Sequence, residues 1–218
     1  MLKNFVCLAK SIRNGGVCIA GKEYSHGVVG PWFRPVGRKQ DALSSNSCSF
    51  NVGDIVSCRV NSHTPTLPQY ENYKLSPEPS WSFVDALPHS SIERFLDSPQ
   101  TLWATGSGCS STHGTNDRVP EFIARSMKNS LYFVPITNAQ IVKKDESFDC
   151  QRSKLRLVFQ YHGANYSLPV TTPNLSNRYW SKLQIGESDI IKKCYITISL
   201  TMPFYGHCYK LVAGYVPA

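Results

Sequence analysis

Apolar and polar positions alternate in short runs along most of the chain, the two-residue period of strands that bury one face. NFVCLA (4–9) and VCIAGKEY (17–24) flank RNGG (13–16), where Asn14 and the glycines supply the positive φ angles of a tight turn, so the pair reads as a hairpin. After HGVVG, the segment PWFRPVG is short and extended, and its two prolines suit an edge strand. DALSSNSCSFN forms a polar loop, VGDIVSCRV (52–60) a strand, and the proline-rich stretch 64–79 is extended and irregular. Further on, SLYFVPITNAQIVKK (130–144), KLRLVFQYHG (154–163), NYSLPVTT (165–172), KCYITISLTMPF and HCYKLVAGYV read as strands, with a hairpin across His162, Gly163 and Ala164. Two segments break the alternation. Ser90 and Glu93 form a capping box ahead of IERFL and predict a short helix over 90–97, and LSNRYWSKL (175–183) suits another.

Three strands, a helix and two strands in the second half are the element order of the oligonucleotide-binding (OB) barrel. The first half offers five strand-like segments and then a helix, so its helix is displaced from that order. The expected fold is therefore mainly β: two consecutive small OB-like β-barrels with short helices. The first spans 1–104 and ends in its short helix, TGSGCSSTHGTND (105–117) is a linker loop, and the second barrel spans 118–218. At 218 residues, two cores of this size are feasible.

Charge adds a direction. The net charge is +8, and residues 1–39 hold seven Lys/Arg against one acid, residues 40–109 three against seven, and residues 110–218 thirteen against seven. Two basic regions separated by an acidic middle point to a phosphate-rich partner, because cations that neutralise phosphates release condensed counterions. The plainer alternative is a basic surface that serves solubility. No apolar run reaches the roughly 18 residues that span a bilayer, and FVCLA near the start is a strand rather than a signal peptide, so no membrane partner is expected. A cytoplasmic location follows, with the eight cysteines as reduced, mostly buried thiols.

Chemistry is sparse. No Cys or His pair has zinc-ligand spacing, and His207 and Cys208, being adjacent, do not suit joint tetrahedral ligation, so no metal or other cofactor is expected. No nucleophile signature surrounds any Cys or Ser, Asp54 and Asp85 are isolated, and Asp145, Glu146 and Asp149 read as a solvated turn; the expectation is a protein that is not an enzyme. The glycine-rich 105–118 segment lacks the Gly-Lys-Ser/Thr ending of a phosphate loop, although its donors and Arg118 could still meet a phosphate.

What remains is a set of cations interleaved with aromatics, the chemistry of single-strand nucleic-acid grooves. The candidates are Lys10, Arg13, Lys22, Trp32, Arg34 and Arg38 in the first half, and Arg118, Arg156, Arg178 and Lys182 in the second, where Tyr161, Tyr179 and Trp180 stand nearby. In KLRLVFQY the polar face carries Lys154 and Arg156, while Tyr161 falls on the apolar face and suits a core. Trp32 either stacks on a base or closes the bottom of a barrel.

The blocks CLAKSIRNGGVCIAGKE, GPWFRPV, LWATG with GTNDRVP, SLPVTTP and FYGHCYKLVAGYV resemble the spaced motifs of the dual OB-containing domain family, from near Cys7 to Val216. That family is mostly bacterial, predicted to bind nucleic acid and sometimes set in anti-phage conflict systems. The resemblance implies two consecutive OB-type barrels and supplies no catalytic residues. By motif, the shared positions are Lys10, Arg13, Gly15, Gly16, Lys22, Trp32, Arg34, Asn116, Asp117, Arg118, Lys210 and Gly214. Three functions follow in order of preference: a non-catalytic protein that holds single-stranded RNA or DNA, a protein-interaction or adaptor module of a bacterial defence complex that docks a protein partner, and a nucleotide sensor or enzyme built on the 105–118 loop.

Overall fold

The computed structural model describes residues 1–13, 15–37, 42–44, 48–77, 81–146 and 153–218, with Arg13 described in its backbone alone. The first half comprises β1 (Leu2–Arg13), β2 (Gly16–Ser25), β3 (Val28–Val36), β4 (Asp54–His63), β5 (Asn72–Leu75) and β6 (Trp81–Ala86), followed by a 3-10 helix, His89–Phe95. Strand order is β1-β2-β3-β5-β4-β6, and β4 pairs back onto β1. Five strands thus close a barrel, and β6 continues the sheet outside it. The closing β3–β5 ladder is parallel, with Arg34 opposite Asn72 and Val36 opposite Lys74.

Inward positions of these strands form one apolar cluster that includes Phe5, Cys7, Ile19, Phe33, Val56 and Val60. The PWFRPV segment, expected at an edge, lies instead between β2 and β5. Its prolines fit because Arg34 N donates to Glu71 O at 2.9 Å, so the next residue, Pro35, turns its missing N–H toward β2, whose ladder with β3 ends at Phe33. The helix forms where expected but as a 3-10 turn with Pro88 at its start, and neither Ser90 nor any other side chain caps it.

The second half comprises β7 (Arg118–Pro120), α1 (Glu121–Ala124), β8 (Leu131–Asp145), β9 (Ser153–Tyr161), β10 (Ala164–Pro169), α2 (Pro173–Tyr179), β11 (Ser188–Leu200) and β12 (His207–Pro217). Their order is β10-β9-β8-β11-β12-β7. This sheet curls without closing: where the first barrel has the parallel β3–β5 ladder, β10 and β12 are joined by one parallel bridge, Val170 to Val212. Its concave side holds the largest core, with Val134, Ile136, Leu157, Tyr166, Leu175 and Ile196 among its members. Five strands of each half, β1–β5 and β8–β12, connect in the same order; the halves differ in how far the sheet wraps and in the sixth strand, β6 pairing with β4 and β7 with β12.

Residues 105–117, read as a linker, fold onto the second sheet. Cys109 and Asp117 are buried, and Thr115 bridges to Ser167 beside β10.

Candidate functional site

Lys22 stands opposite Trp32 in the β2–β3 ladder, and Arg34 follows two residues after Trp32, so all three share the outer face of the first barrel. The strand 2–3 face is the one by which OB barrels take oligonucleotides. Here much of it is covered by the second half. Val6 and Leu8 pack with Ile92, Phe95, Phe133, Tyr195 and Val216, and Ala9 and Ala20 pack with Leu131 and Ala213 beside Trp32. The backbones approach so closely that a Cβ placed on Gly214 would lie 2.0 Å from Leu8 O, which requires glycine there. Thr197 Oγ1 donates to the same carbonyl.

Polar groups complete this seam. Asp97, just beyond the 3-10 helix, accepts from Lys22 Nζ at 2.6 Å, Trp32 Nε1 at 3.1 Å and the amide of Phe133 at 2.8 Å. Lys22 also lies 5.4 Å above the Trp32 ring. Arg34 pairs with Glu71 at 3.1 Å and donates to Ser130 Oγ at 2.9 Å and Ser199 Oγ at 3.2 Å, while Ser130 Oγ donates to Glu71. Lys22 and Arg34 are both buried. Trp32 is half-buried at the seam and is tied to the second half through Asp97, which also accepts from the Phe133 amide. Lys10 is also occupied, donating to Cys48 O at 2.8 Å and Phe50 O at 2.7 Å.

Beside Arg34 the seam opens into a cleft of about 850 Å³, walled on one side by β1–β3 from Ile12 to Val36 and on the other by β12 and the 199–204 segment. The 111–118 loop forms its rim. Asp117 organises this loop by accepting from Ser111 N at 2.7 Å, Ser111 Oγ at 2.6 Å and Arg156 Nη1 at 3.3 Å. A Cβ on Gly114 would fall 2.0 Å from Asp117 Oδ2, so only glycine lets the loop wrap the carboxylate. Arg156 is buried as well, donating to Ser167 O at 2.7 Å and pairing with Glu146, which takes a second ion pair from Lys154 at 2.9 Å. Burial pushes the Glu146 carboxyl up, but hydrogen bonds from Arg156 and Lys154 outweigh it and hold it below the usual carboxylate range.

Both carboxylates of the cleft are thus saturated from within. The groups left facing its open side are His113, which is exposed, Lys154, whose side chain is 55% exposed, and Arg118, which donates to Gly108 O at 3.2 Å and is in no ion pair among the described residues. Arg178 and Lys182 lie elsewhere, on and just after α2. Arg178 is exposed over the Tyr179 ring, Lys182 pairs with Asp189 at 2.5 Å, and Lys143 Nζ sits 4.5 Å above the half-exposed Trp180. Tyr161 is core, with its hydroxyl donating to Pro99 O at 3.0 Å. Arg38 and the side chain of Arg13 lie outside the described residues.

Sequence reasoning placed Lys154 on the polar face of its strand, but missed Asp97 and Glu71 as the partners of Lys22 and Arg34 and missed His113 at the cleft. A signal for the first two was present in the surplus of acids between the two basic regions.

A closed five-stranded barrel with a parallel β3–β5 seam, joined to a curled sheet in which five strands connect in the same order, defines a protein of paired OB type. The chain belongs to the dual OB-containing domain family, whose model matches residues 3–215. Among solved structures, it is similar to a murine DNA-binding protein bound with double-stranded DNA, at 8% identity and a TM-score of 0.35, covering 100% of this chain and 98% of that one. A structure described as the molecular basis for abrogation of activation of pro-inflammatory cytokines is similar at 8% identity and a TM-score of 0.35, covering 99% of this chain and 91% of that one. Neither likeness carries an argument at that score. No curated protein matches the chain.

Proposed function

We propose that the protein is a non-catalytic nucleic-acid-binding module that holds single-stranded RNA or DNA in the cleft between its halves. One observation carries the reading: the uncovered part of the first barrel's β1–β3 face forms a wall of a cleft of about 850 Å³, whose lining includes Arg118, in no ion pair among the described residues, the exposed His113, and Lys154, which pairs with Glu146 while its side chain stays 55% exposed. Phosphates that enter it meet cations whose neighbouring acids are already occupied. An unstacked strand fits such a space by following the cations with its backbone.

The test is fluorescence anisotropy with labelled single strands of about 20 nucleotides across a salt series starting near 50 mM, where phosphate contacts are strong. The logarithm of the affinity should fall linearly with log salt, and absence of binding to both RNA and DNA at the lowest salt overturns the reading. A free nucleotide is the second reading, favoured because the cleft has the volume of a small-molecule site and the 111–118 loop lines it. Strand length separates the two. Affinity that grows from one nucleotide to about ten supports the strand, and affinity already complete with a mononucleotide supports the sensor.

A further inference from the structure

The β11–β12 hairpin closes through a two-residue turn at Tyr205 and Gly206, with Phe204 N donating to His207 O at 2.8 Å and His207 N to Phe204 O at 3.2 Å. Both central residues have positive φ, 47° and 75°. This is a type I′ turn, which favours Asn, Asp or Gly in its first place. Two other hairpins of the chain turn in the same way, at His26-Gly27 and His162-Gly163, and both place there a histidine, a residue enriched in left-handed backbone. Tyr205 is the exception. A bulky aromatic in that conformation is strained, and packing of the ring would be the usual compensation.

The ring gives none. Tyr205 is 86% exposed, more than any other large apolar or aromatic side chain described. Phe204 beside it is 61% exposed, with the two ring centroids 4.4 Å apart and nearly perpendicular. Phe122, 77% exposed, stands next to the same turn, since α1 begins with Glu121 N donating to Gly206 O at 2.9 Å. Phe204 also lines the cleft, and Arg118 faces Tyr209 in the adjoining ladder. A strained backbone therefore displays flat rings at the mouth of a cleft whose lining includes Arg118 and the partly exposed Lys154.

We propose that Tyr205 and Phe204 form a base-stacking platform, gripping a nucleobase of a single strand whose phosphates pass Arg118 and Lys154. This rests on the nucleic-acid reading above. Exposed rings alone would also suit a protein partner; the continuity of the rings with the cationic cleft, in a chain of net charge +8, favours an anionic ligand with flat faces.

Tyr205→Asn removes the ring and gives the turn a residue it prefers, and Tyr205→Phe keeps the ring. Binding is read with labelled oligo-dT and oligo-U of about 20 nucleotides, and with a dT strand carrying abasic positions, which retains phosphates without bases. Tyr205→Asn should melt at or above the wild-type temperature and lose about 5- to 150-fold in affinity for whichever intact strand the wild type binds. Its affinity for the abasic strand should match wild type, and Tyr205→Phe should bind as wild type. Equal binding of intact strands by Tyr205→Asn and wild type overturns the platform and leaves the cleft reading standing, as does an equal loss on the abasic strand. Failure of the wild type to bind any strand overturns both.

Discussion

Lys22 and Arg34 in the first barrel, and Arg118 and Lys154 in the second half, are set in strands of similar alternation and belong to the same residue types. The first two are buried against Asp97 and Glu71, while the second two reach the open cleft. What separates them is where the acids fall. The acidic middle of the chain supplies Glu71 and Asp97 to the seam, so a cation on the covered face of β2–β3 finds a carboxylate of its own half there. Beyond the seam, Arg118 is in no ion pair among the described residues, and Lys154 shares Glu146 with Arg156 while its side chain stays 55% exposed. A basic and aromatic tract is thus a statement about a face, and its meaning depends on what covers that face.

The contrast breaks most sharply at Glu71. Glu71→Ala leaves Arg34 buried without its acid and should lower unfolding free energy by about 3 to 5 kcal/mol in urea denaturation. A loss below about 1 kcal/mol would mean that Arg34 escapes to solvent and that the two groups of cations are alike.

Lys210 sharpens the contrast from the other side, as a fully buried cation of the open half. Its ammonium donates to Ala104 O at 2.6 Å and lies 5.2 Å from the Tyr166 ring centre, and burial pushes its pKa down to about 8 from the usual 10.5. Between these values the unfolded chain holds a proton that the folded chain lacks, so Lys210 adds stability as pH rises through that window. Relative to Lys210→Met, the wild type should gain about 3 kcal/mol from pH 8 to pH 10.5. Comparing the two proteins removes an opposing trend common to both. Burial pushes Cys58 and Cys194 up to about 12 and Cys48 and Cys208 up to about 11, so these thiols stay protonated in the fold and stability falls above pH 9. Parallel pH profiles for wild type and variant would contradict the assignment.

Smaller effects belong to the open cations. Arg118→Ala should weaken single-strand binding about three- to tenfold and reduce the slope of log affinity against log salt by about 0.7, with little change in stability. Lys182→Ala breaks an exposed ion pair with Asp189 and should leave the urea midpoint essentially where it is in the wild type.

Alternation and turn residues made the long strands, the His162-Gly163 hairpin and the order β8–β12 readable, because these depend on neighbours in sequence, whereas the short β5, within the stretch read as irregular, and β6 and β7 were not read. Two features depended on distant partners and were not readable. The 105–117 segment looks like a linker because its fastening is Arg156, 39 residues beyond Asp117. Lys22, Trp32 and Arg34 look like a ligand face because nothing local announces that Asp97, Leu131 and Ala213 will cover it. Composition also misleads at β3, where two prolines suggest an edge and the register accommodates them inside the barrel.

The contact of Gly214 with the Leu8 carbonyl has a kinetic consequence. With the two backbones touching, Asp97 bonded to the Phe133 amide and Arg34 to Ser130, the halves should behave as fixed jaws rather than a hinge. A strand that enters the cleft meets walls already in place, so capture is a single encounter whose observed rate rises in proportion to ligand concentration, with no slow closing step to impose a plateau.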